Sequence, residues 1–230
     1  MTKFQIPAVF FTAFIAAFAV LVSPTSAAQA EATLMVTVLD ANGDPLPQAI
    51  VSVAGAADDN GMASNAVMDQ VDKLFSPFVL NVQQGSSVSF PNSDNIRHQV
   101  YSFSPSKPFE LPLYSNQQAP VLRFDEPGIV VLGCNIHDHM KAYIYVSPHR
   151  FSVQTNAAGQ AELPSGVTSG VTQVHVWYPG LTDTITDERV VEVVDAQAGL
   201  TVNLPILPQA QNPPPPSALQ QRFNRRKNNN

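Results

Sequence analysis

One short run, Gly133 to Met140, holds the single cysteine of the chain, Cys134, together with His137, His139 and Met140. Apolar residues flank it on both sides, Ile129-Val130-Val131-Leu132 before and Ala142-Tyr143-Ile144-Tyr145-Val146 after. A loop this short between two such runs connects two strands, with Cys134 at the end of the first. The chain must therefore form a sheet around this loop, and its other segments must cover the faces of that sheet. Upstream, Pro91-Asn92-Ser93-Asp94-Asn95 breaks another apolar pattern, and His98-Gln99-Val100-Tyr101-Ser102-Phe103 resumes it. His98 is thus expected at a strand start, beside a polar loop.

The remaining pattern is of the same kind. Thr33 to Leu39 alternates and stops at Asp40-Ala41-Asn42-Gly43-Asp44-Pro45, a turn-forming cluster. Ala49 to Val53 follows, and the two segments are expected to pair as a hairpin whose apolar face needs a second sheet. Further short strands are expected at Phe78–Val82, Ser87–Phe90, Val121–Phe124, Ser152–Thr155, Ala161–Pro164, Gln173–Tyr178, Val190–Val194 and Leu200–Leu204, a spacing typical of sandwiches. With 20 prolines and only 13% charged residues, an all-β protein is expected. Ala54 to Asp72 is small, polar and aperiodic and reads as a linker. Ser104 to Ala119 reads as a long excursion, of the kind that is usually functional or mobile.

The N-terminus has Lys3, an apolar run from Ala8 to Val22 and small residues ending in Ala28-Gln29-Ala30, the pattern of a secretory signal peptide cut after Ala30. The apolar run is shorter than the ~20 residues of a membrane span, so no span is expected after cleavage. A periplasmic or secreted protein follows. Its lone cysteine has no disulfide partner within the chain, so the thiol is buried, paired between chains, or bound to something. The net charge is −6, with the acidic residues lying between Glu31 and Asp195 and the basic Arg222, Arg225, Arg226 and Lys227 in the tail. An acidic body disfavours nucleic acid as a partner. Beyond Pro208, the prolines, glutamines, basic residues and asparagines are expected to be disordered.

A thiolate, two imidazoles and a thioether make the ligand set of a mononuclear electron-transfer copper site. Cys134, His137 and Met140 would supply three of these from one loop, with His98 the fourth from a neighbouring strand. The Cys-x-x-His-x-x-Met spacing at a strand end, with an upstream His after Asn-x-Asp, is far more specific than any of its members. Within the loop His139 competes, either replacing Met140 or His137 or shifting the preference toward zinc. His149 and His175 read as structural or surface residues.

On these residues the stretch from about Phe75 to Ser147 resembles a cupredoxin, the blue-copper Greek-key sandwich. Phe124-Asp125-Glu126-Pro127-Gly128 and Cys134 to Met140 are similar to the amicyanin type, with its short ligand loop. Phe90 to Asp94 and His98-Gln99-Val100 match the first-histidine strand. Val100 to Ser104 and Leu132 to Asp138 resemble a group of exported methylamine utilization proteins. The resemblance implies Cys134, His98 and His137 as copper ligands and Met140 as the axial one. Two residues depart from it. Gln99 replaces an asparagine that ties the ligand loops together, and Leu132 replaces an aromatic residue. Val36 to Ala49 and Thr155 to Pro164 resemble two pieces of a carboxypeptidase regulatory-like, transthyretin-like sandwich.

The expected organisation is therefore a signal peptide (1–30), a first part of the transthyretin-like sandwich (31–56), a linker (57–74), the cupredoxin domain (75–148), the second part of the smaller sandwich (149–207) and a disordered tail (208–230). The resemblance implies a type 1 copper electron carrier holding one copper ion, with a redox partner such as a periplasmic amine-oxidising dehydrogenase or a cytochrome. Two rival functions remain. One is a copper-binding or delivery protein; the other is a non-redox sandwich that binds a partner. Four ligands leave no open coordination position, which argues against an enzyme.

Overall fold

The computed structural model describes residues 33–54, 63–115, 120–149, 151–164, 171–195 and 197–215, and residues 218, 221 and 222 beyond them. The signal peptide expected over 1–30 lies outside these residues. Among the described residues no helix is long and apolar enough to cross a membrane.

The strands in chain order are β1 (Leu34–Leu39), β2 (Ile50–Val53), β3 (Asn65–Val67), β4 (Asp69–Val71), β5 (Leu74–Ser76), β6 (Val79–Gln83), β7 (Ser86–Ser89), β8 (Tyr101–Ser102) and β9 (Phe109–Glu110). They continue with β10 (Val121–Phe124), β11 (Gly128–Gly133), β12 (Lys141–Ser147), β13 (Phe151–Gln154), β14 (Gln160–Leu163), β15 (Gln173–Trp177), β16 (Arg189–Glu192) and β17 (Leu200–Asn203), with one 3-10 turn at Ile185–Asp187. The expected all-β class is the one adopted.

Two sheets carry the central segment. One has the order β10-β7-β3 and the other β6-β12-β11-β8-β9, with β4 and β5 as a separate ribbon. Phe75, Phe90, Phe124, Val88, Val130, Leu132, Ile144 and Val146 fill the core they enclose. The flanks form two further sheets, β14-β1-β17 and β13-β2-β15-β16. Here segments from before and after the central part pair directly, Leu34 opposite Leu163 and Val51 opposite Val153. Their core is rich in Val and Leu and includes Val36, Val38, Val51, Val174 and Val176.

Strand β12 joins the two cores. Six of its seven residues are buried, because alternate side chains serve opposite sides. Ala142, Ile144 and Val146 enter the central core. Tyr143 and Tyr145 pack with Ile50, Val79, Ile129 and Trp177 in a third cluster at the seam.

Three expectations change. The predicted hairpin of β1 and β2 does not form, since the two strands lie in different sheets. Asp40 Oδ1 accepts the amides of Asn42 and Asp44 (2.8 and 3.0 Å), and Leu46 N–H returns to Val38 O (2.9 Å), before the chain crosses to the facing sheet. Since β2 is buried on every residue, it needs neighbours on both edges, and β13 and β15 provide them. The expected linker over 57–74 contains β3, paired parallel to β7, and β4, paired with β5. The first residues of the expected disordered tail are held. Gln209 N–H donates to Tyr178 Oη (2.8 Å), and the Gln211 amide accepts from Phe75 N–H (2.8 Å) and donates to Phe75 O (2.6 Å).

Candidate metal centre

Strand β11 ends at Gly133, so Cys134 leaves the sheet where its side chain turns into the core, 3% exposed. A Cβ on Gly133 would stand 2.5 Å from the Tyr101 ring, so the absence of a side chain lets Tyr101 lie against the approach to Cys134. The loop then tightens. Met140 N–H donates to His137 O (2.8 Å), which returns the chain to β12 and buries Met140 in the same core as Cys134.

His98 sits outside any strand. Its N–H donates to Tyr114 O (3.1 Å) and its O accepts from Tyr114 N–H (3.0 Å), an isolated bridge that draws the expected excursion over the site. Tyr114 is itself fixed: its hydroxyl donates to Phe90 O (2.7 Å) and accepts from the buried Gln70 amide (2.6 Å). Burial pushes the Tyr114 phenol up to about 12, so it stays a hydrogen-bond donor at ordinary pH. Asn92 Nδ2 adds bonds to Ile96 O (2.9 Å) and Tyr114 O (2.8 Å).

The result is that His98, Cys134 and His137 each present one ligand atom, all within 4.8 Å of one another. The two imidazole centroids are 4.9 Å apart. His98 is fully buried, and its Nε2 lies 2.7 Å from Asp94 Oδ2. A carboxylate can only accept there, so the ring proton is on Nε2 and the Nδ1 lone pair is free. His98 Nδ1 and His137 Nδ1 are both buried and make no hydrogen bond. Orphaned buried nitrogens are costly unless something else binds them, and a metal ion between them and the thiol answers that need. The donor set suits a soft or borderline ion, copper or zinc.

The electrostatics agree. Burial pushes the His137 imidazole below its ordinary value, and the neighbouring His98 and His139 add to the effect, so the neutral ring, with one nitrogen free to bind, is favoured at neutral pH. For Asp94, burial would raise the pKa, but hydrogen bonds from the Lys73 amide, His98 and the Asp72 amide outweigh it and hold the carboxyl below the usual range.

His139 is not part of the ligand group among the described residues. Its Nε2 lies 3.0 Å from Lys73 O, and its ring packs edge-on against His137. Gln99, the residue that departed from the expected pattern, still ties the loops: its Oε1 accepts from Asn135 Nδ2 (2.6 Å) while its Nε2 donates to Glu110 (2.7 Å). Leu132 packs in the central core. Beside Cys134 and Met140 a cavity of about 540 Å³ opens between Tyr101, Phe103, Pro105 and Lys141.

Sequence reasoning missed two things. Asp94 was seen only as part of the Asn-x-Asp pattern before His98, and its bond to His98 Nε2 was not foreseen. A second cluster, His149, His175 and Glu188, also brings ligand atoms within 4.8 Å of one another, but its members come from three separate segments and carry no joint pattern.

No protein-family model matches the chain, and no curated protein matches it. Among solved structures, a copper-containing nitrite reductase from Thermus scotoductus SA-01 is similar at 28% identity, over 36% of this chain and 22% of that one, with a TM-score of 0.35. The chain thus matches about a fifth of that protein's length. A point mutant of amicyanin in its reduced Cu(I) form is similar at 20% identity, over 42% of this chain and 98% of that one, with a TM-score of 0.34. A purple cupredoxin from Nitrosopumilus maritimus is similar at 21% identity, over 36% of this chain and 99% of that one, with a TM-score of 0.30.

Proposed function

We propose that this chain is an exported copper electron carrier of cupredoxin type. The observation that carries the reading is the pair of buried, unpaired Nδ1 atoms facing a buried thiol. His98, Cys134, His137 and Met140 would hold the ion, and copper so bound supplies a one-electron couple.

What the chain contributes is placement and exclusion of water. Asp94 fixes the tautomer of His98, and the Tyr114 bridge fixes its backbone. Gln99 holds the loop through Asn135. Cys134 and Met140 pack with Phe90, Val100, Leu132 and Ile144, and with His98 they are almost wholly buried, which limits the access of water to them. His137 is the ligand candidate with partial exposure, and it lies beside the exposed Ile136, which is half accessible. A redox partner docks on this side, and an amine-oxidising dehydrogenase or a cytochrome in the periplasm fits the resemblance of the ligand loop. Residues 31–56 and 149–207 are read as one transthyretin-like sandwich into which the cupredoxin is inserted, a reading supported by the pairing of β1 with β14 and of β2 with β13.

The deciding experiment is the optical and spin-resonance spectrum of the copper-loaded chain. An intense thiolate-to-copper band that bleaches reversibly on reduction is expected and is lost in Cys134→Ser. A colourless protein that binds Cu(I) and passes it to an acceptor makes this a delivery protein instead.

A further inference from the structure

His149 follows β12, His175 lies in β15 opposite Val190, and Glu188 stands immediately before β16. Their side chains converge at the seam. His175 Nδ1 is 3.3 Å and His149 Nε2 is 3.5 Å from Glu188 Oε2, and the two ring centroids are 4.4 Å apart. The Glu188 side chain is 1% exposed. Its Oε1 accepts from the Tyr145 hydroxyl. Its Oε2 is buried and has no hydrogen-bond partner.

An ion pair alone explains this poorly. A charge-assisted N–H···O bond closes to about 2.7–2.9 Å, and neither imidazole approaches that closely. Two stacked imidazoles also repel once both are protonated. Nitrogen and oxygen ligands held about 2.0–2.2 Å from a tetrahedral zinc ion stand about 3.3–3.5 Å apart, a range that includes both edges to Oε2, 3.3 and 3.5 Å. Both histidines keep some solvent exposure, 14% and 19% of the side chain, which leaves room for a water in a fourth position.

We propose that His149, His175 and Glu188 form a second metal site, which takes a divalent ion of the zinc class. Two nitrogens and a carboxylate without thiolate suit Zn²⁺. β12 separates this site from the ligand loop, and seven residues of strand span about 23 Å, so the two sites act independently. His149 follows β12 of the central sheet, while His175 and Glu188 come from the flanking segment, so an ion here pins the two sandwiches together.

The test is a zinc titration of the full chain against a chromophoric chelator, with the histidine NMR signals followed in parallel. The expected result, beyond any zinc held by the Cys134 group, is one saturable equivalent that shifts the His149 and His175 signals and raises the thermal midpoint. Losing a ligand costs at least as much as losing its supporting partner, so His149→Gln, His175→Gln and Glu188→Gln each weaken this equivalent about 100-fold. His98→Gln leaves it unchanged, and circular dichroism of each variant shows that it folds. The proposal is overturned if the three variants bind zinc as the wild type does, or if all the zinc bound by the wild type is lost in His98→Gln.

Discussion

Replacing Asp94 by Asn separates a metal-binding histidine from a buried structural one. Asp94 accepts three hydrogen bonds: from Asp72 N–H (2.8 Å) on Oδ1, and from Lys73 N–H (2.9 Å) and His98 Nε2 (2.7 Å) on Oδ2. The amide oxygen of Asn can keep the first. Its NH₂ then meets two donors. His98 must lose that bond or move its proton to Nδ1, and the second choice blocks the nitrogen that faces the thiol. Hydrogen bonds to charged groups are worth about 1.5–3 kcal/mol. The bonds from Asp72 and Lys73 lie at the surface, so the low end applies, and the metal-free protein should lose about 1.5–2 kcal/mol in chemical denaturation. Copper affinity, measured by competition with a chelator, should fall about 10–100-fold, as for other residues that orient a ligating histidine. Asp69→Asn is the control, since Asp69 bonds Ser93 Oγ (2.7 Å) and the Gln70 amide (2.7 Å) instead. Wild-type copper affinity in Asp94→Asn would refute the tautomer argument.

Gln99→Leu removes the bonds to Asn135 and Glu110 and should cost about 1–2 kcal/mol in denaturation, with a broadened or shifted copper absorption band as the ligand loop loosens. Thr155→Val tests the flanking sandwich. Thr155 Oγ1 accepts Ala49 N–H (2.9 Å) and donates to Leu46 O (2.7 Å) across more than a hundred residues, so the variant should lose about 2–3 kcal/mol and keep the copper spectrum. For Glu188, burial would raise the pKa, but His149, His175 and Tyr145 outweigh it and depress it below 4.5. A depressed carboxylate contributes stability above its unfolded value that is lost as pH falls through its folded one. The metal-free protein should therefore lose stability below pH 4.5, and Glu188→Gln should flatten that part of the curve.

The sequence made the local features visible and hid the non-local ones. Leu34 to Leu39 alternates because one face is buried, and the strand lies there. Its partner was misjudged, because the choice between Val51 and Leu163 depends on β2 being buried on both faces, a property of the assembled sandwiches. β3 and β4 are short and polar, and only pairing with β7 and β5 makes them strands. The loop that carries the candidate ligands was legible because Cys134, His137 and Met140 lie within seven residues, and the structure brings Cys134 and His137 together with His98. The strand predicted from His98 begins only at Tyr101, since a bridge to Tyr114 holds His98. Gln99 marked a departure whose outcome depended on reach: its longer side chain meets the side chain of Asn135. The cluster at Glu188 was invisible, because nothing in local spacing links residues 149, 175 and 188.

The fixing of the site also bears on carrier against cargo. A delivery site must release its ion, so at least two ligands must swing away from it. Here His98 is held by two backbone bonds to Tyr114 and by Asp94, and Tyr114 is held in turn by Phe90, Gln70 and Asn92. Cys134 and Met140 lie in the central core, bracketed by β11 and β12, and β12 is clamped between two cores. Only His137 is on the exposed side. Opening the site would break the Tyr114 network, whose buried hydrogen bonds each cost about 1–3 kcal/mol to leave unmade. An electron carrier has the opposite need, since a site that keeps its shape through both oxidation states spends little on rearrangement. The hydrogen bonds and packing of the chain itself meet that need, which is why transfer of the electron, and not of the ion, is the function they support.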